Sequence, residues 1–145
     1  MANAPENGTP RIVLLVEDEA DARNILARRL SALGWRCLAH ESVESALAAP
    51  ELHTVDAIAA DVSFGDGRMS GVELVQELRS RGVGAPVVLM SGVADAKRLT
   101  AGLKPGAAVL LEKPFATEVL RSALENATRN RSPAQSAGAG PATAR

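Results

Sequence analysis

The sequence predicts an α/β fold: a doubly wound parallel sheet with helices on both faces. Three observations point there. Short apolar runs lack polar alternation, amphipathic stretches separate them, and the two kinds of segment alternate five times along the chain. Residues 11–16, 55–60, 85–90 and 107–111 are apolar and of strand length, as expected of parallel strands covered on both sides. Residues 35–40 are less uniformly apolar and read as an additional strand nearer an edge. After the first run, Ala22, Ile25, Leu26, Leu30 and Leu33 recur at spacings of three and four and stop at Gly34, so a helix with this buried stripe is expected. Ser42 can cap a short second helix that halts near Pro50. Ser70 and Glu73 form a capping box for a third, with Leu74, Val75 and Leu78 as its apolar face. Residues 93–103 give a weaker fourth helix, and Phe115, Val119, Leu120, Ala123 and Leu124 mark a fifth.

Length and composition narrow the function. The chain has 145 residues, enough for one ordinary domain, with 16 basic and 17 acidic side chains and a net charge of −1. No global basic field exists to hold nucleic acid or anionic lipid, so neither is expected as a direct partner. Trp35, Phe64 and Phe115 are the only aromatic residues, too few for a platform that stacks bases or sugars. The single cysteine, Cys37, rules out an internal disulfide framework. The first nine residues lack the apolar stretch of a signal peptide, and no apolar run approaches the ~20 residues of a membrane span, so a cytoplasmic location is expected.

Residues 1–10 and 128–145 are polar or small and offer nothing large to bury, so both are expected to be disordered, leaving residues 11–127 as the folded body. That body carries 13 basic and 16 acidic side chains, a mild net charge of −3. With nothing foldable after the fifth helix, no second, output domain is expected within the chain.

In an open parallel sheet all strands end at one edge, and the residues just beyond them form the crevice where such folds bind ligands. Glu17 and Asp18 follow the first strand, Asp61 the third, Ser91 and Gly92 the fourth, and Lys113 with Pro114 ends the fifth. Three carboxylates brought together repel one another and hold protons at neutral pH unless a cation neutralises them. Magnesium suits the set, being a hard ion that prefers oxygen ligands and is commonly shared between carboxylates and a phosphate. The absence of nearby His or Cys disfavours zinc. Lys113 then supplies a point charge to an anionic group and Ser91 a hydroxyl donor, so the inferred ligand is a phosphoryl group. If one acid is the nucleophile, its attack on phosphorus gives an acyl phosphate.

These residues resemble the receiver domains of two-component response regulators. The parts that carry the resemblance are the acidic pair in VEDE (Glu17, Asp18), the acceptor in AADVS (Asp61), MSG (Ser91, Gly92) and GAAVLLEKPF (Lys113, Pro114, Phe115), together spanning the folded body. The resemblance implies a flavodoxin-like sheet of order 2-1-3-4-5 and a cis Lys113–Pro114 peptide. It also implies a phosphoryl group taken by Asp61 from a sensor histidine kinase or phosphotransfer protein. Glu17, Asp18, Asp61 and the Ser63 backbone carbonyl would hold Mg2+, with Ser91 and Lys113 sensing the phosphoryl oxygens. On this reading the chain is a phosphoacceptor rather than a turnover enzyme, and phosphorylation alters its affinity for a downstream protein target. The face of the fourth helix, fifth strand and fifth helix is one the family often uses for dimerisation.

The chain departs from that pattern in places. Leu110 stands where the family often has an aromatic switch residue, so aromatic-gated switching is not expected. The segment 62–70 is about two residues longer than the common form and adds Gly65, Asp66, Gly67 and Arg68, read as a solvated turn. Two alternatives stay open: a pseudo-receiver that binds protein without phosphorylation, and a phosphohydrolase of the haloacid dehalogenase kind. The latter needs an acid two residues after the nucleophile, where this chain has Ser63. His40, His53, Cys37 and Trp35 read as surface or packing residues, and Gly65 and Gly67 form no nucleotide-binding pattern.

Overall fold

The computed structural model describes residues 10–61, 70–92, 101–104 and 106–129. Five parallel strands, β1 (Ile12–Val16), β2 (Arg36–His40), β3 (Ala57–Asp61), β4 (Val87–Ser91) and β5 (Val109–Glu112), form one sheet of order β2-β1-β3-β4-β5. This is the doubly wound, flavodoxin-like architecture expected. The helices are α1 (Ala20–Ala32), α2 (Val43–Leu47), α3 (Gly71–Ser80) and α4 (Thr117–Arg129). The fourth helix expected at 93–103 falls mostly outside the described residues; Ala101 and Gly102 are helical at its end.

Side chains alternate across a strand, and β1 divides accordingly. Leu14 and Val16 join Ile58, Ala60, Val87 and Leu89 beneath α2 and α3, while Val13 and Leu15 join Ala57, Ala59, Val88 and Met90 beneath α1 and α4. Both faces are covered, so the central strands have no polar face. Gly34 lies at φ 94°, a conformation that favours glycine, and the Trp35 N–H closes α1 on the Leu30 carbonyl at 3.1 Å. The expected capping box of α3 is present: Ser70 Oγ accepts from the Glu73 N–H at 3.1 Å, and Glu73 Oε1 accepts from the Ser70 N–H at 2.9 Å.

Three expectations need correction. Ile25 is 56% exposed and Val119 48% exposed, so the periodic stripes overreach by one residue on each helix, because the sheet covers a narrower arc than the sequence pattern suggests. Phe115 precedes α4 instead of belonging to it. At the other end α4 runs to Arg129, tied down where Thr128 Oγ1 accepts from Arg11 Nη1 at 3.3 Å and donates to the Leu124 carbonyl at 2.9 Å. The segments 1–9 and 130–145 lie outside the described residues. Among those described, no helix is long and apolar enough to cross a membrane.

Candidate functional site at the C-terminal sheet edge

The parallel register fixes which side chains meet. Val16 of β1 stands opposite Ala60 of β3, so Glu17 and Asp61, each one residue further on, share a level on neighbouring strands. Asp61 in turn pairs with Met90, which brings Ser91 to the same edge, and Ser91 pairs with Glu112, the residue before Lys113. The Lys113 N–H donates to the Ser91 carbonyl at 2.8 Å, carrying the ladder one residue past β5. From that origin the half-buried Lys113 side chain reaches Asp61, with Nζ 2.5 Å from Oδ2. The expected cis Lys113–Pro114 peptide is present.

Polar groups are buried here to a degree seen nowhere else among the described residues. Glu17 is 2% exposed, Asp61 4% and Ser91 0%. Glu17 Oε2 accepts from the Glu19 N–H at 3.0 Å, and the Glu17 carbonyl accepts from Arg23 Nη1 at 3.1 Å. Its other carboxylate oxygen, Oε1, and the Ser91 hydroxyl have no hydrogen-bond partner. The Glu17 carboxyl is pushed up to about 8, first by burial and then by the Asp61 carboxyl beside it, against smaller pulls from the Glu19 N–H and Lys113. The two carboxyls can share a proton, a hydrogen bond that exists only while one of them is protonated. With both ionised, two like charges lie side by side.

An orphaned carboxylate oxygen next to a second carboxylate, with oxygen donors only, fits a hard divalent cation such as magnesium. Of the remaining expected ligands, Asp18 is exposed at the rim and Ser63 lies outside the described residues. No three acids among the described residues form a ready-made cation cage. Asp61, Ser91, Lys113 and Glu17 are thus brought to one edge, and Asp18, next in the chain to Glu17, is exposed. Leu110 is half-buried and packs against the core under α2 and α3.

Sequence reasoning missed the arginines. Arg29 of α1 donates from Nη2 to the Phe115 carbonyl at 2.7 Å and from Nε to Thr117 Oγ1 at 3.0 Å. A charged residue at a helical position reads simply as a solvated face, and no spacing rule links it to a carbonyl 86 residues away. Of the histidines, His40 ends β2 at this same edge, where its carbonyl accepts the Glu17 N–H at 3.0 Å while its ring Nδ1 lies 2.7 Å from Ser45 Oγ; His53 is elsewhere, with Nε2 3.0 Å from the Arg81 carbonyl.

Comparison with known proteins places the fold in a family. Residues 13–125 match the response regulator receiver domain family. The transcriptional regulatory protein FixJ of Rhizobium meliloti (strain 1021) is 32% identical over 123 residues, which are 84% of this chain and 59% of FixJ. The response regulator MprA of Mycobacterium avium (strain 104) is 34% identical over 122 residues, 83% of this chain and 52% of MprA. The chain therefore spans about half the length of the curated relatives it matches. A sensor protein structure from Polaromonas sp. JS666 superposes with a TM-score of 0.72 at 28% identity, covering 84% of this chain and 98% of that one. With the family model matching residues 13–125, relatives more than 30% identical over most of the chain and the sheet order in agreement, the chain belongs to the response regulator receiver domains of two-component signalling.

Proposed function

We propose that this domain is a phosphorylation-activated switch in which Asp61 accepts a phosphoryl group from the phosphohistidine of a histidine kinase or phosphotransfer protein. One observation carries the reading: the Lys113 ammonium rests on a buried Asp61 carboxylate while, one strand away, the Ser91 hydroxyl is buried without a partner. One basic and one hydroxyl donor thus lie at the sheet edge that carries the acceptor.

An Asp61 oxygen attacks phosphorus, the P–N bond of the donor breaks, and the imidazole nitrogen keeps the electron pair, leaving an acyl phosphate on Asp61. Lys113 meets charge on the phosphoryl oxygens, and the Ser91 hydroxyl donates to one of them. Glu17, Asp18, Asp61 and the Ser63 carbonyl would hold magnesium. The bound ion supplies positive charge against the carboxylates and the phosphoryl oxygens. Water later attacks the acyl phosphate, releasing inorganic phosphate and restoring the carboxylate. The domain is consumed and regenerated as its own substrate, so it acts as a phosphoacceptor rather than a conventional enzyme.

Giving Ser91 an acceptor shifts the end of β4, and the neighbouring face of β5 and α4 then changes its affinity for a protein partner or a second copy. Leu110 replaces the usual ring in this path, so the switch works without an aromatic rotation. With a net charge of −3 over residues 11–127, direct nucleic-acid contact is not expected of this domain. A cytoplasmic location follows from the proposed kinase donor, which draws its phosphoryl group from ATP.

Intact-mass measurement after incubation with acetyl phosphate and magnesium tests the proposal. Wild type is expected to gain one phosphoryl group, and Asp61→Asn or a chelated sample none. A folded wild type that gains no mass overturns the reading in favour of a pseudo-receiver; continuous donor consumption at enzyme-like rates overturns it in favour of a phosphohydrolase.

A further inference from the structure

We infer that Arg29 is a positioning residue for phosphoryl transfer: it grips the chain just beyond Lys113 and so holds the Lys113 ammonium over Asp61. The inference rests on the function proposed above and concerns how its lysine is held in place.

Lys113 lies on a connection between β5 and α4, and a side chain is only as well placed as its backbone. Upstream, the Lys113 N–H is fixed to the Ser91 carbonyl at 2.8 Å. Downstream, the anchor is Arg29. Its Nη2 donates to the Phe115 carbonyl at 2.7 Å, its Nε donates to Thr117 Oγ1 at 3.0 Å, and its guanidinium carbon lies 5.1 Å from the centre of the Phe115 ring. One planar, permanently charged fork thus makes three contacts within residues 115–117. The Phe115 ring in turn packs against the core between the sheet and α1 and α4. The geometry of α1 makes this reach natural. Arg29 lies in the last turn of α1, and helical side chains slant toward the helix N-terminus, so its guanidinium points back toward the sheet edge at which α1 begins, the edge that carries the site.

The connection is thereby pinned on both sides of Lys113, between a strand that carries Ser91 and a helix that starts beside Glu17. Loss of the downstream pin lets the connection relax. A contact of 2.5 Å between Nζ and Asp61 does not survive a displacement of about 1 Å as a good hydrogen bond.

Calorimetric titration with magnesium alone, and then with beryllium fluoride in the presence of magnesium, separates this role from a general structural one. Beryllium fluoride bonds to the aspartate oxygen with its fluorines in the positions of phosphoryl oxygens, so it probes Lys113, whereas magnesium alone probes the carboxylates. In Arg29→Met, magnesium affinity is expected to stay within about twofold of wild type while beryllium fluoride affinity falls about tenfold. Arg29→Lys, which keeps the charge without the fork, should recover only part of the loss. In a Lys113→Met background, Arg29→Met should have no further effect, because its action runs through the missing ammonium. Thr117→Val, which removes only the hydroxyl contact, carries the same test with a smaller loss should Arg29→Met fail to fold. Wild-type beryllium fluoride affinity in the folded arginine variant, losses that multiply with that of Lys113→Met, or magnesium and fluoride affinities that fall in step would each overturn the role of Arg29 alone. A folded wild type that binds magnesium but takes up no beryllium fluoride would instead remove the phosphoryl-acceptor reading, and this inference with it.

Discussion

The two edges of the same sheet are built on opposite terms. At the N-terminal edge polar groups close on one another. Ile12 donates its N–H to Asp56 Oδ2 at 2.8 Å, the Arg36 N–H donates to the Arg11 carbonyl at 2.8 Å, and the Arg11 guanidinium lies 4.7 Å from the centre of the buried Trp35 ring while Nη1 reaches Thr128. At the C-terminal edge two buried carboxyls stand side by side, one of their oxygens has no partner, and a serine hydroxyl is sealed in without an acceptor. Burying unmatched polar groups costs stability, so a fold keeps such an edge only where something else completes it. The comparison teaches that the satisfied edge contributes to stability, while the unsatisfied edge carries the residues to which the proposed function assigns the chemistry.

If that division is right, substitutions at the two edges should separate function from stability. The largest effect is expected for Lys113→Met, which should slow phosphoryl incorporation from acetyl phosphate about 10²- to 10³-fold, read by intact mass over time, with only a modest change in denaturation midpoint. At the other edge Trp35→Ala should destabilise the domain by about 3–5 kcal/mol in urea unfolding, yet leave incorporation at wild-type rate wherever the variant is folded. A loss of incorporation in folded Trp35→Ala would break the separation.

Between the edges, Cys37 reports on how closed the sheet is. Burial pushes its thiol up to about 11 from an ordinary value of 9.0. At pH 8 the native protein should therefore react with iodoacetamide about 10²-fold more slowly than the urea-unfolded chain, and the native rate should climb with pH toward 11. The sign for stability follows: between pH 9 and 11 the native thiol holds a proton that the unfolded one releases, so stability falls as pH rises through that window. Equal labelling rates in the two states would show the strand to be open. The smallest effect is expected for Asp56→Ala, which removes the acceptor of the Ile12 N–H and should cost about 1–2 kcal/mol with no change in incorporation.

Much of this was legible in the sequence because it depends on local pattern. The runs IVLLV and VVLMS are short, β-branched-rich and without polar alternation, as strands of a doubly covered sheet are, and Ser70 with Glu73 announces the start of α3 directly. The site followed from one topological rule, since parallel strands deliver Glu17, Asp61, Ser91 and Lys113 to a single edge. What escaped was whatever depends on tertiary reach or on the width of a buried face. Ile25 and Val119 fit the helical period yet face solvent, because periodicity gives the direction of a stripe and not how far the sheet extends beneath it. Arg29 and Arg11 look like surface charges, and only the fold reveals that one fastens the Lys113 connection and the other covers a tryptophan. Phe115 carried an apolar signal suited to a helix, but its place is the connection that Arg29 holds.

The central claim, that the unsatisfied edge exists to place a phosphoryl group on one particular carboxylate, is tested most directly by trapping the acyl phosphate. Borohydride reduces an aspartyl phosphate to homoserine, a permanent mark that peptide mass mapping locates. After incubation with acetyl phosphate and magnesium, the mark is expected at position 61 alone. Its appearance at position 17 or 18, or an unmarked peptide from protein that has gained a phosphoryl group, would contradict the account.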